Sequence, residues 1–182
     1  MKKFFILIPA VLLCLFSCST SDSDSDSETD SEIDPEFAMT AKINGDVFQA
    51  NNPFGNNEFS NYLIWDWYPP NEFILLQARK GSTFSTLREI NLWLKKSDIA
   101  VGTYVIGAET FEVKPSHYVV LVYPSSEEPI STKEGKIVIT EVNTSTKLVK
   151  GTFEFTTVLY LDDPSSPVNF RITEGKFNYT YE

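Results

Sequence analysis

The 182-residue chain is 42% hydrophobic and 14% aromatic, with 15 basic and 25 acidic residues giving a net charge of −10. That length and composition fit one globular domain with appendages, large enough to bury its own core. No long basic run is present, which argues against a nucleic-acid partner.

The chain opens with Lys2-Lys3, a positive start, followed by an apolar run of 13 residues from Phe4 to Phe16, interrupted only by Pro9. A permanent membrane span needs about 20 apolar residues, so this run reads as a cleaved export signal. Leu15-Phe16-Ser17-Cys18 follows. It resembles the lipobox of bacterial lipoproteins, with an aliphatic residue three before the cysteine and a small one directly before it. The resemblance implies a signal over 1–17 and acyl chains on Cys18. Cys14 competes poorly because Leu13 before it is bulky. Each buried CH₂ contributes about 0.8 kcal/mol, so two or three chains make such an anchor effectively permanent.

Residues 18–38 are expected to be a lipidated cysteine and a disordered tether. Eight acids (Asp22, Asp24, Asp26, Glu28, Asp30, Glu32, Asp34, Glu36) lie in 19–38 without a base. The stretch has little to bury and repels itself. A flexible chain of this length spans about 25 Å root-mean-square, and its extended limit is about 70 Å. Acidic residues close behind the cysteine resemble the surface-export signals of Bacteroidetes lipoproteins. The resemblance implies an outer-membrane location, with the domain facing the cell exterior. A plain spacer facing the periplasm is the other reading.

Residues 39–182 carry 13 basic and 17 acidic residues and no cysteine. The domain therefore holds no disulfide, thiol nucleophile or thiolate metal site. Short strands and turns alternate along it, with no helical period. Asn44-Gly45 links Ala41–Ile43 to Asp46–Phe48 as a type I′ hairpin would. Phe59 to Tyr68, Phe73 to Lys80, Leu87 to Lys95, Gly102 to Ile106 and His117 to Tyr123 are predicted strands. Lys136 to Val142 and Lys147 to Leu161 form a hairpin, with Gly151 a predicted bulge or bend. Val168 to Thr173 and Lys176 to Tyr181 flank Glu174-Gly175. Nine or ten strands with regular turns predict an all-β antiparallel sandwich, with a closed lipocalin-like barrel as the alternative.

The C-terminal half carries Gly135 to Glu141, Gly151-Thr152-Phe153-Glu154-Phe155, and Ile172-Thr173-Glu174-Gly175-Lys176-Phe177. With these three segments it resembles a group of uncharacterised Bacteroidetes lipoproteins. Gly102-Thr103-Tyr104 also fits. The resemblance implies a β-rich surface lipoprotein and supplies no catalytic residues.

No residue set predicts catalysis, a cofactor or a metal. His117 is the only histidine; beside Ser116 it evokes a hydrolytic triad, but it opens an apolar strand and lacks a nucleophile elbow. Among the carboxylates Asp66, Glu89, Glu141, Glu154 and Glu174, Glu141 and Glu154 lie on adjacent hairpin arms, as outward carboxylates commonly do. Asp162-Asp163 with Ser165 and Ser166 offers oxygens to Ca²⁺, without the spacing of a calcium loop. The aromatic cluster Trp65, Trp67 and Tyr68 reads first as core filling on a strand buried on both faces, and is otherwise the leading candidate for stacking on a sugar or anchoring a protein. Trp93 alternates with Ile90, Leu92 and Leu94, so it is predicted to point outward. Phe153, Phe155, Phe177, Tyr179 and Tyr181 read as core stripes. The expectation is a non-enzymatic domain, tethered to the membrane through Cys18, that binds a glycan, protein or envelope component. A barrel carrying a small apolar molecule and a hydrolase are the alternatives.

Overall fold

The structure, a computed structural model, describes residues 37–52, 71–83, 85–107, 116–124, 130–163 and 165–180. Cys18, the acidic tether up to residue 36, the Phe59 to Tyr68 segment with Trp65, Trp67 and Tyr68, and Tyr181 lie outside them. Nine strands are described: β1 (Met39–Ile43), β2 (Asp46–Ala50), β3 (Phe73–Lys80), β4 (Arg88–Lys95), β5 (Gly102–Gly107), β6 (His117–Val122), β7 (Ser131–Asn143), β8 (Leu148–Val158) and β9 (Val168–Thr180). The one helical element among the described residues is a 3₁₀ turn, Lys96–Asp98, so no described helix is long enough to cross a membrane.

The turns follow from residue type. Asn44 and Gly45 have φ of 50° and 92°, the left-handed pair that a two-residue hairpin requires. At the β7–β8 turn the Asn143 side-chain oxygen accepts from the backbone N–H of Ser145 and Thr146, both at 3.0 Å. This is the local bonding by which Asn closes turns.

The strands form two antiparallel sheets. The larger has the order β2-β1-β9-β8-β7-β5 and the smaller β3-β4-β6. The inner face of the small sheet is aliphatic: Ile74, Leu76 and Ala78, then Ile90, Leu92 and Leu94, then Val119 and Leu121, all nearly or fully buried. It faces the large sheet, because the His117 ring packs tilted against Tyr104 of β5, centroids 4.1 Å apart, and Tyr123 against Phe170 of β9, centroids 4.5 Å apart. The large sheet contributes Phe48, Ile137, Ile139, Phe153, Phe155, Phe177 and Tyr179 to one shared core. Fully burying one such side chain is worth about 1.5–3 kcal/mol. The sheets are also clamped by hydrogen bonds. The Tyr179 hydroxyl donates to the carbonyl of Gln77 at 2.7 Å, and the Thr132 hydroxyl to the carbonyl of Val119 at 2.6 Å.

The fold is thus the expected antiparallel sandwich, and the barrel alternative is not realised. At one margin the sheets touch through a single bridge, Asn51 to Arg79. Among the described residues no ladder continues from one sheet into the other.

Two glycines of the large sheet are fixed by the close approach of an aromatic ring. A Cβ on Gly151 would strike the carbonyl of Val138 and lie 2.6 Å from Cζ of Phe177; one on Gly175 would lie 2.6 Å from Cδ2 and Cε2 of Phe153. Gly151 is the cross-strand partner of Phe177, and Gly175 of Phe153. Each ring therefore lies over a glycine on the neighbouring strand, an arrangement that restores packing where a strand has no side chain.

Glu174-Gly175 is not a break between two arms. β9 runs through it as one strand with a bulge: Phe153 pairs with Gly175 and Phe155 with Ile172, so two β9 residues oppose Glu154. Glu174 takes a φ of 53° there, and its carboxylate meets Lys42 Nζ at 2.7 Å. The bulge expected at Gly151 lies instead on the partner strand, at Thr140, where the β7–β8 register shifts between Ile139 and Glu141.

Overpacking at Gly151 is expected to be costly. Gly151→Ala should lower unfolding free energy by about 2–3 kcal/mol. Gly107→Ala, where an added Cβ meets nothing within 4 Å, should change it by less than about 0.5 kcal/mol. Urea titrations of both variants check this, and equal effects would refute the ring-on-glycine account.

Candidate functional site

The small sheet is buried on its other face as well. Phe73, Leu75, Trp93 and Tyr118 on that face are 1%, 1%, 4% and 5% exposed. Trp93 does point away from Ile90, Leu92 and Leu94, as its alternation predicts, but not into solvent. β4 is the central strand of a sheet buried on both faces, and there alternation no longer separates wet from dry. Trp93 is core and offers no ligand an open ring.

Polar residues share that face. Gln77 pairs with Asn91 across β3 and β4, and Arg79 with Glu89. The Glu89 carboxylate, 5% exposed, accepts from Gln77 Nε2 at 2.7 Å, Asn91 Nδ2 at 2.7 Å and Arg79 Nε at 2.5 Å. Three donors, one of them the Arg79 cation, thus hold a buried charge, the condition under which burial is tolerated. The amide oxygens of Gln77 and Asn91 are left without partners.

The residues weighed for chemistry do not converge. Glu141 pairs with Lys150 at 2.9 Å and Glu154 with Lys136 at 3.0 Å, on the outer face of the large sheet. Asp163 accepts from the Ser165 N–H at 2.8 Å and hydroxyl at 2.6 Å. These bonds lower its pKa and make the loop a side-chain-closed turn. Among the described residues no group of three or more metal-ligating side chains occurs.

His117 is 2% exposed. Its Nδ1 lies 2.6 Å from the carbonyl of Ser116, while Nε2 is buried without a partner. The Ser116 side chain bonds to Asp98 instead, so no nucleophile-to-base hydrogen bond forms. Burial holds the imidazole below its ordinary pKa, against the Ser116 carbonyl and Asp98, which raise it.

The outer face of the large sheet carries a groove of about 450 Å³ crossing β5, β7, β8 and β9. Two rows of cross-strand neighbours line it. One is Val105, Lys136 and Glu154, and the other is Glu134, Thr156 and Arg171. The β9 bulge at Thr173-Glu174 and a second register shift between Thr132 and Glu134 bracket these rows. Such bulges bend strands and re-aim side chains. Glu134 and Arg171 are exposed, and neither side chain makes an ion pair or hydrogen bond among the described residues. Thr156 between them is 7% exposed, and its hydroxyl has no partner.

Of these groove residues, only Glu154 stood out in the sequence. Glu134 and Lys136 show the alternation of a wet face, but their alignment with Thr156 and Arg171 depends on bulges that no motif signals.

Two stability tests follow. Glu89→Ala strips two buried amides and the half-buried Arg79 of a shared acceptor and should cost about 3 kcal/mol. Glu141→Ala, which breaks an exposed pair, should cost less than about 1 kcal/mol. In the second test, folded His117 takes its proton at lower pH than the unfolded side chain, which protonates below about 6.5. Its contribution to stability is therefore complete above that pH and lost as pH falls below it. Denaturation midpoints should drop from pH 7.5 to pH 5.5, and His117→Phe should flatten that drop.

Residues 81–179 match a protein family described as a domain of unknown function, DUF6252. No curated protein and no solved structure matches the chain. The match takes in β4 to β8 and nearly all of β9, including both rows of the groove and the two glycines under aromatic rings. It spans more than half of the chain, which therefore belongs to the DUF6252 family.

Proposed function

We propose that the protein is a lipid-anchored outer-membrane binding module, facing the cell exterior and non-catalytic, that takes its ligand on the outer face of the large sheet. The groove carries this reading, because its lining combines uncompensated charges of both signs with a buried, unpartnered hydroxyl. Open charges and an unsatisfied hydroxyl are groups a ligand can pair with, and leaving such a buried group unpaired costs about 1–3 kcal/mol. The sequence supports the location: Lys2-Lys3, the apolar run, Leu15-Phe16-Ser17-Cys18 and the acidic stretch follow one another in the order that anchoring and display require.

Metabolic labelling with an alkyne palmitate analogue tests the anchor. The wild-type chain should take up label and sediment with membranes, and Cys18→Ser should do neither. Protease added to intact cells should remove the β domain. An unlabelled wild-type chain, or one found free in solution, would overturn the anchoring. A labelled chain protected from protease would overturn the outward placement.

A further inference from the structure

The charged groups of the groove have opposite fates. Lys136 and Glu154 neutralise each other at 3.0 Å. One cation and one anion remain, Arg171 on β9 and Glu134 on β7, with Thr156 of β8 between them. Adjacent strands lie about 4.8 Å apart, so the two backbones are separated by about 9.6 Å. Thr156 occupies the position between them.

A ligand with only negative charge would meet Arg171 but also Glu134 and Glu154. One with only positive charge would meet Glu134 but also Arg171 and Lys136. A dipolar ligand satisfies both open groups: a guanidinium fork fits a carboxylate, and a carboxylate accepts from an ammonium. A neutral sugar would want an open ring to stack on, and the one ring in the lining, Phe155, is 2% exposed. At the β5 end Val105 is 83% exposed, apolar surface available to a ligand side chain.

We infer that the groove binds a zwitterion with a free ammonium and a free carboxylate, either an amino acid or a short unblocked peptide. Arg171 takes the carboxylate, Glu134 the ammonium, and the Thr156 hydroxyl a polar group between them. This rests on the reading of the groove as a ligand site and names what fills it. Each residue adds about 3.3–3.6 Å of reach, so a di- or tripeptide matches the strand separation better than a single amino acid.

The test titrates the detergent-solubilised full-length protein by calorimetry and ¹⁵N NMR. The probes are glycine, Ala-Ala, Ala-Ala-Ala, and Ala-Ala acetylated at its amine or amidated at its carboxyl. The unblocked peptides should bind and shift the amides of Glu134, Thr156 and Arg171. Blocking either terminus should weaken binding at least about ten-fold. Arg171→Ala should abolish the penalty for amidation alone, and Glu134→Gln the penalty for acetylation alone, a pattern that a merely structural role would not give. Glycine binding more tightly than the peptides would assign the site to free amino acids. Equal binding of blocked and free peptides, or no shift with any probe, would overturn the assignment. Loss of palmitate labelling would overturn the anchor and leave this result standing.

Discussion

The large sheet depends on two aromatic rings packed against glycines. Phe177 covers Gly151 and Phe153 covers Gly175, so β8 and β9 interlock through rings and gaps. Interiors are packed closely enough that a single added methyl group is felt. The rings also touch within the core, with Phe153 and Phe177 centroids 6.4 Å apart. The segments that carry the family resemblance are therefore a packing device. Gly151-Thr152-Phe153 supplies one gap and one ring, and Gly175-Lys176-Phe177 supplies the other gap and ring.

The small sheet answers a different constraint. Both of its faces are dry, yet its sequence includes Gln77, Glu89 and Asn91. Their burial is tolerated because Glu89 collects Arg79 and both amides. Coulombic attraction and desolvation oppose each other in such clusters, and the hydrogen bonds decide the balance. Trp93, Leu75 and Tyr118 lie in the next row on the same face, so a polar row and an aromatic row are buried side by side.

Much of the architecture was legible where local chemistry decides it. Asn44-Gly45 specified its turn, Phe73 to Lys80 is a strand over that very range, and Phe153, Phe155, Phe177 and Tyr179 are core as their alternation implied. Reading failed where the answer depends on a third element. Trp93 alternates like an outward residue, but only tertiary packing tells that both faces of β4 are dry. Glu174-Gly175 resembles a turn because left-handed backbone serves turns and bulges alike, and only the register against Glu154 separates them. The groove was least legible, since Glu134, Thr156 and Arg171 are distant in sequence and meet through a register set by two bulges.

β9 is the last described strand in the chain, yet it lies inside the large sheet, bonded to β1 on one side and β8 on the other. Until residues 168–180 emerge from the ribosome, β1 and β2 have no strand of the large sheet to dock on and β8 keeps a bare edge. The sheet is closed from the middle by its final piece. A chain released before that point would present two open ladders at once, the kind of surface that pairs with whatever strand it meets.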